Sequence, residues 1–265
     1  MTATPHSDAT AFDEHLEQWR GWASSPWGRI RFAVVRSTLS LQVEALGGGP
    51  LRVLDVGGGD CRDSLPLAEQ GHEVTVVDPS AGMLGAARSR AEELGVTGLL
   101  TVQGSVTDLE SLAGHGYDLV LCHFLLQYRP HGLADLRRLA DRLRPGGRLS
   151  VIAPNPAGSV LAQLVRKGPA AALSELDQEM STTVTFEQEV RKICHEHMAD
   201  DLAAVGLDVV ALYGGRCAND LIADDSLKSD PEFYAQLERL ELALCDREPF
   251  KRTGLFWQLV AEKPL

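Results

Sequence analysis

From residue 51 onward, short apolar runs alternate with longer segments of helical periodicity, and this alternation limits the possible folds more than any other property of the chain. Seven runs are predicted to be β-strands: 51–56, 73–77, 99–102, 117–122, 148–153, 207–213 and 256–262. The first five are nearly continuously apolar, as in strands buried on both faces of a parallel sheet. Strands that alternate with helices are typical of βαβ units. The sequence therefore predicts an α/β fold with a doubly wound, seven-stranded, mostly parallel sheet.

Helices are predicted between these strands at 61–70, 82–94, 132–143, 186–205 and 231–245. In the last of them Leu237, Leu240 and Leu244 have the i, i+3, i+7 spacing of a helix that buries one face. The Arg-Pro-Gly-Gly sequence at 144–147 predicts a helix end and a tight turn into the fifth strand.

Two further helical segments, 12–22 and 27–46, precede the sheet and carry Trp19, Trp22 and Trp27. We expect residues 1–48 to form an N-terminal helical cap, and residues 49–265 to form one domain. Within that domain an insertion at about 155–186 has weak periodicity. Long insertions at this edge of a doubly wound sheet usually face the substrate or are mobile.

The chain has 25 Lys and Arg against 37 Asp and Glu, and its formal charge of −12 repels polyanions on average. Its five cysteines are odd in number and include no C-x-x-C pair, so neither a disulfide framework nor a metal site is predicted. No apolar run is long enough to span a membrane, and the N-terminus lacks the pattern of a signal peptide. These features predict a soluble, cytoplasmic protein without metal or membrane partners, and leave its oligomeric state open.

A glycine turn follows the first predicted strand and defines a candidate ligand site. Gly57, Gly58 and Gly59 end the strand, and glycines let the backbone approach a ligand closely. Asp78 ends the second strand nineteen residues after Gly59, where a carboxylate can accept hydrogen bonds from both ribose hydroxyls of an adenosine. The two features together predict a nucleoside-cofactor site at the carboxyl ends of the strands.

Three residues decide between the cofactors that use such a turn. Arg62 stands where a dinucleotide fingerprint has its third glycine, and Asp60 would lie unfavourably beside a pyrophosphate. Asp55, just before the turn, suits a nearby ammonium group such as that of the methionyl part of S-adenosylmethionine. The residues therefore favour S-adenosylmethionine, which becomes S-adenosylhomocysteine on methyl transfer.

Four segments, 55–59, 77–80, 117–120 and 143–147, resemble the motif series of class I S-adenosylmethionine-dependent methyltransferases. The resemblance implies a Rossmann-like methyltransferase fold with Asp78 and Pro79 in the cofactor site. It also implies that Met83 flanks the adenine, with ordinary helix packing as the alternative role.

A closer resemblance extends over nearly the whole chain, to the family of tRNA 5-carboxymethoxyuridine methyltransferases. It rests on residues 51–55, 57–59, 68–72, 240–241 and 245–250. It implies methylation of a carboxylate on a wobble uridine, and seven cofactor contacts: Arg31, Gly57, Gly58, Asp78, Ser105, Val106 and His123. Arg31 would donate to the cofactor carboxylate, or else be a surface arginine. His123 would contact cofactor or acceptor, or be structural, and Ser105 and Val106 have a plain loop role as their alternative.

The acceptor is left open between two classes. The segment 173–180 is acidic where a lysine-rich segment would bind tRNA phosphates, which puts tRNA in doubt and favours a small metabolite that is O- or N-methylated. An acceptor carboxylate is ionised at neutral pH and needs no base, whereas an alcohol would need one, with His123 as the candidate. Asn155, Tyr213 and Glu248 are candidates for the acceptor pocket. A non-catalytic cofactor-binding module is the third hypothesis.

Overall fold

The computed structural model describes residues 13–183 and 188–265. The β-strands are β1 (Arg52–Val56), β2 (Glu73–Asp78), β3 (Leu99–Gln103), β4 (Tyr117–His123), β5 (Leu143–Pro154), β6 (Met180–Thr182), β7 (Glu189–Arg191), β8 (Asp208–Gly215) and β9 (Phe256–Glu262). The α-helices are α1 (Leu16–Ser24), α2 (Pro26–Ala45), α3 (Leu65–Glu69), α4 (Ala81–Glu93), α5 (Leu109–Leu112), α6 (Gly132–Arg142), α7 (Pro156–Lys167), α8 (Pro169–Leu176), α9 (His195–Ala204) and α10 (Pro231–Leu244).

Seven of these strands form one sheet in the order β3-β2-β1-β4-β5-β9-β8. The strands β1 to β5 pair in parallel, and β9 lies antiparallel between β5 and β8. The predicted doubly wound, mostly parallel α/β fold is confirmed. The chain reverses its direction of winding between β1 and β4, and ligands of such sheets bind in the crevice beyond the strand ends at that point.

The hydrophobic core lies on both faces of the sheet. One cluster includes Leu136 of α6 and Trp257 of β9, and the other includes Val35 and Leu39 of α2 with Val53 of β1. Helix α2 is therefore packed into the core layer that covers the sheet. The division of the chain at residue 48 stays a prediction, and residues 1–12 of the predicted cap lie outside the described residues.

The predicted insertion contains α7, α8 and the hairpin of β6 and β7. Residues 184–186 at its end are among those that the structure leaves undescribed. Among the described residues, no helix has the length and apolar character that crossing a bilayer requires.

Two predicted helix starts were wrong. The helix expected at 61–70 begins at Leu65, because Cys61 has a φ of +58° and its N–H closes a 2.9 Å bond to Gly58 O within a turn. The helix expected at 186–205 begins at His195, while residues 189–191 form a strand. Backbone bonds to distant partners hold that segment extended: Lys192 N donates to Glu179 O at 3.0 Å.

The turn predicted at 144–147 was also wrong, because these residues belong to β5. Leu143 pairs with Tyr117, and the register shifts before Leu119 pairs with Arg148. Gly146, with a φ of +70°, lies in this irregular part of the strand. The chain therefore passes from the end of α6 directly into β5, without a separate turn between them.

Candidate functional site

The turn after β1 requires glycine for reasons visible in the structure. Gly57 and Gly59 have positive φ values of +72° and +54°, a region that side chains with a Cβ rarely adopt. At Gly58 the reason is space, since a Cβ would lie 2.5 Å from the Asp55 carboxylate and 2.8 Å from Val76. The three glycines therefore leave the backbone of the turn without side chains at the carboxyl end of β1.

Asp78 lies beside this turn at the end of β2. Its carboxylate accepts hydrogen bonds from the backbone N–H groups of Gly59 and Ser80, both at 2.9 Å. Burial raises the pKa of Asp78 to about 6, although the two backbone N–H groups act in the opposite direction. The side chain is thus fixed at the position where the sequence predicts a ribose acceptor.

Asp55 lies beneath the turn and is 2% exposed. Its Oδ2 atom has no hydrogen-bond partner among the residues that the structure describes. Burial, together with the neighbouring carboxylates of Asp63 and Asp78, raises the pKa of Asp55 to about 7. The carboxylate lies beneath the turn, and its predicted role toward the ammonium group of the cofactor stays a prediction.

A cluster that the sequence did not predict as a unit joins Arg31, Asp63 and His123. The Arg31 guanidinium donates to both oxygens of Asp63, from Nη2 to Oδ2 at 2.6 Å, and His123 Nδ1 lies 2.8 Å from the same oxygen. Burial raises the pKa of Asp63, but Arg31 and His123 outweigh it, and the pKa lies well below its usual range. The charged pair is only 6% and 10% exposed, so it is held in a medium of low polarity.

The partners of His123 fix its protonation state. Asp63 is an acceptor, so Nδ1 carries the proton, and Nε2 accepts from Ser150 Oγ at 2.9 Å. Ser150 Oγ in turn accepts from Gln258 Nε2 at 2.9 Å. Burial lowers the pKa of His123, which keeps the ring neutral. Both ring nitrogens are engaged, and the structural alternative for His123 is favoured over that of a general base.

The N-terminal segment is tied to the same end of the sheet. Asp13 accepts from Ser80 Oγ and from Gly82 N, the latter at 3.1 Å. Trp19 Nε1 donates to Asp60 Oδ1 at 3.0 Å. Residues of the predicted cap therefore contact the segments that follow β1 and β2.

The remaining predicted cofactor residues have defined packing roles. Ser105 caps the short helix Val106–Asp108, and the Val106 side chain is buried in the core. The Sδ of Met83 lies 3.9 Å from the position of a Cβ on Gly59, so Met83 packs against the turn. Pro79 O accepts from Gln103 Nε2 at 3.1 Å. Ser105 and Val106 can therefore offer a ligand mainly backbone groups.

The candidates for the acceptor pocket are engaged within the chain. Asn155 donates to Arg252 O and Gly254 O at 2.8 and 2.9 Å, and Glu248 accepts from Arg252 Nε at 2.9 Å. Tyr213 OH accepts from Gln42 Nε2 at 3.1 Å on another part of the sheet. The structure brings Asn155 and Glu248 to one arginine and gives Tyr213 a separate partner; their role toward an acceptor stays a prediction.

Asp63, Ser150 and Gln258 are site residues that the sequence reasoning missed. Asp63 is separated from His123 by 60 residues, and Gln258 from Ser150 by 108. The available signal was a polar residue within an otherwise apolar strand, as at Ser150 and Gln258. In a strand buried on both faces such a residue needs a hydrogen-bond partner.

Comparison with known proteins agrees with this geometry. Residues 53–147 match the model of a family described as methyltransferase domain. The tRNA 5-carboxymethoxyuridine methyltransferase of Escherichia coli K12 is 27% identical over 255 residues, 96% of each chain. The ubiquinone biosynthesis O-methyltransferase of Xanthomonas axonopodis pv. citri is 37% identical over 113 residues, 42% of this chain and 47% of that protein.

Among solved structures, the magnesium protoporphyrin IX methyltransferase of Synechocystis PCC 6803 with bound S-adenosylhomocysteine has a TM-score of 0.64 at 18% identity. The match covers 97% of this chain and 98% of that one. This likeness shows the fold. The match to a methyltransferase domain at 53–147 and the full-length relative, taken with this fold, indicate that the chain is an S-adenosylmethionine-dependent methyltransferase. The predicted class of enzyme and its cofactor are confirmed.

The residues present fit this cofactor. A side chain at Gly58 would collide with Asp55, so the turn keeps a bare backbone, and the buried Asp55 carboxylate lies directly beneath it. Asp55 and Asp78 lie at the turn, Asp78 bonded to the N–H of Gly59 and Asp55 against Gly58, and acidic side chains there suit a ligand that carries a sulfonium and an ammonium. Within the described residues, no group of three or more His, Cys, Asp or Glu side chains could hold a metal ion.

Proposed function

We propose that the chain transfers a methyl group to a carboxylate and forms a methyl ester, with 5-carboxymethoxyuridine of tRNA as the acceptor. The observation that carries this proposal is the engagement of both nitrogens of His123 by Asp63 and Ser150. A carboxylate is ionised at neutral pH and needs no base, whereas an alcohol would need the proton acceptor that His123 does not supply. The similarity to the Escherichia coli tRNA enzyme over 96% of each chain supports the acceptor.

We assign the cofactor contacts as follows. Asp78 accepts from the ribose hydroxyls, the glycine turn packs against the methionyl part, and Met83 flanks the adenine with Pro79 nearby. Arg31 uses the N–H groups that Asp63 leaves free to donate to the cofactor carboxylate, and Asp63 positions it. Bound S-adenosylmethionine supplies an electrophilic methyl group on its sulfonium. The protein aligns the acceptor with that group and excludes water from the site.

Arg31 has a test that does not depend on activity. 5′-Methylthioadenosine lacks the amino-acid part of S-adenosylhomocysteine, so it cannot contact a residue that binds the carboxylate. We expect Arg31→Gln to weaken S-adenosylhomocysteine binding by about tenfold, since a charged hydrogen bond contributes about 1.5–3 kcal/mol. The affinity for 5′-methylthioadenosine should stay unchanged in calorimetry. Equal losses for both ligands would remove Arg31 from the carboxylate site.

The acidic segment 173–180 exposes fewer free carboxylates than its sequence suggests, which weakens the argument from charge against tRNA. In the acidic segment 173–180, Glu175 is buried and pairs with Lys192 at 2.7 Å. Asp177 and Glu179 remain as exposed carboxylates. The segment therefore repels phosphates less than its composition suggests.

A small metabolite with a carboxylate is the second candidate acceptor, favoured by the formal charge of −12. Methyl-ester formation would proceed in the same way on this acceptor, because its carboxylate is also ionised at neutral pH and needs no base. The two candidate acceptors would differ only in the contacts that they make with the protein outside the methyl-transfer site.

The deciding experiment uses methyl-labelled S-adenosylmethionine with base-treated bulk tRNA and, in parallel, a small-molecule extract of the source cells. Base treatment removes existing esters and exposes carboxylates. Label that enters tRNA and leaves again under mild alkali is the expected result. Untreated tRNA is the matched control, and it should take up less label.

Alkali-stable label in tRNA would contradict ester formation. Label in the small-molecule fraction alone would reject the tRNA acceptor. The variant His123→Asn should keep kcat within about tenfold of the wild type without a new pH dependence, because general-base catalysis contributes about a hundredfold or more. If His123→Asn instead lowered kcat a hundredfold or more, and a higher pH recovered the activity, His123 would be the general base.

A further inference from the structure

A groove of about 400 Å³ lies outside the cofactor site, between α2, α3, α4 and α10. Four arginines line it: Arg29, Arg36, Arg62 and Arg90. They come from α2, from the segment after the glycine turn, and from α4. Arg62 follows Gly59 by three positions, so one end of the groove adjoins the cofactor turn.

The charge of this groove is opposite in sign to that of the chain. Its lining has four arginines against two glutamates, Glu69 and Glu238, whereas the whole chain has 25 basic and 37 acidic residues. Even with the buried Asp60 included, the groove keeps an excess of positive charge. A local basic surface on an acidic protein is a feature that attracts anionic ligands.

Two of the arginines are held in place by Asp60. Arg62 Nε donates to Asp60 Oδ2 at 2.8 Å, and Arg90 Nη2 donates to the same oxygen at 3.2 Å. The Asp60 side chain is 2% exposed, while those of Arg62 and Arg90 are 20% and 31% exposed. One buried carboxylate thus anchors two partly exposed guanidinium groups. These arginine side chains would therefore lose less conformational entropy when a ligand binds.

The other two arginines are on the exposed face of α2. The Arg29 guanidinium lies 3.9 Å from the centre of the Tyr234 ring, which orients it without neutralising its charge. Arg36 is exposed, and its guanidinium makes no ion pair or hydrogen bond with the described residues. Planar guanidinium groups with free N–H donors are suited to phosphate oxygens.

We propose that this groove, formed around Arg29, Arg36, Arg62 and Arg90, binds phosphodiester groups of the acceptor tRNA. The inference rests on the proposed function. The groove would supply the phosphate contacts that the acidic segment 173–180 does not. The phosphates of an RNA strand follow one another along its backbone, so a groove that carries several cations can contact more than one of them.

The test measures binding of tRNA that carries 5-carboxymethoxyuridine, by fluorescence anisotropy between 50 and 200 mM KCl. Arg36 is the residue to change, because its guanidinium has no partner in the described part of the chain whose loss would disturb the fold. We expect Arg36→Ala to weaken binding about three- to tenfold at low salt and to reduce the slope of log Kd against log salt by about one. Arg36→Glu should have a larger effect on both.

Arg137→Ala is the matched control, since Arg137 is an exposed arginine on α6, outside the groove. All three variants should bind S-adenosylhomocysteine as the wild type does, which shows that the cofactor site is intact. If the Arg36 variants match Arg137→Ala in tRNA affinity and salt slope, the groove is not the phosphate site. Absence of tRNA binding by the wild type at 50 mM KCl would also overturn the inference.

The two proposals fail separately. Esterified tRNA with unchanged Arg36 variants would refute the groove and leave the proposed function in place. Groove-dependent tRNA binding without ester formation would support the groove and refute the proposed acceptor chemistry.

Discussion

The ion pair of Arg31 and Asp63 leads to a prediction about stability. In Asp63→Asn the bidentate charged contact is lost and Arg31, whose side chain is 6% exposed, keeps a buried charge without a counter-ion. Breaking a buried pair in this way costs about 3–5 kcal/mol. The asparagine oxygen can still accept from one donor, so we expect a loss of about 3 kcal/mol. For a domain of this size that lowers Tm by roughly 6–12 °C.

The assay is thermal and urea unfolding of the protein without cofactor at pH 7. The matched control is Glu17→Gln, which breaks the pair of Glu17 with Arg20, whose side chains are 83% and 47% exposed. Exposed pairs contribute about 0–1 kcal/mol, so this variant should unfold almost as the wild type does. A loss below about 1 kcal/mol for Asp63→Asn would refute the reasoning.

The same pair predicts a pH dependence. Although burial raises the pKa of Asp63, Arg31 and His123 bring it well below its usual range. A carboxylate with a lowered pKa in the folded state stabilises the protein above its unfolded pKa of about 4, and this contribution is lost as pH falls. The difference in unfolding free energy between wild type and Asp63→Asn should therefore shrink below about pH 4. A difference that stays constant down to pH 2 would contradict the assigned pKa direction.

Asp78, with its pKa at about 6, should couple cofactor affinity to pH: calorimetry should give S-adenosylhomocysteine binding about tenfold weaker at pH 5 than at pH 8. Asp78→Asn should reduce this dependence, and the part that remains should follow Asp55, whose pKa is about 7. Gly58→Ala should cost about 1–3 kcal/mol, because its Cβ would lie 2.5 Å from the Asp55 carboxylate. Gly59→Ala, whose nearest neighbour is 3.9 Å away, should cost only the positive-φ strain of about 1 kcal/mol; equal losses in thermal unfolding would contradict this geometry. Glu241 accepts three backbone N–H bonds at 2.7–3.0 Å, so Glu241→Ala should lose about 3 kcal/mol or more in urea unfolding, with Glu241→Gln intermediate.

The sequence by itself determined the class of fold, the class of enzyme and the cofactor, and it predicted a place for that cofactor. Short apolar runs, helical periodicity and the glycine turn are local patterns, and each depends only on residues close together in the chain. The seven strands were predicted to within two residues at each end, except at the start of β5. Gly57, Gly59 and Asp78 could be predicted because backbone geometry and strand ends limit the residues that fit there.

Only the tertiary structure decided what His123, Arg31 and the groove arginines contact. His123 has partners 60 residues before it and 27 residues after it, and Asp60 anchors arginines on two different segments. No local pattern specifies such pairs, because a buried charge or hydrogen bond is satisfied by whichever partner the packed elements bring near. The sequence therefore predicted the chemistry of methyl transfer, and the packing of the helices against the sheet determined which side chains are free to serve it.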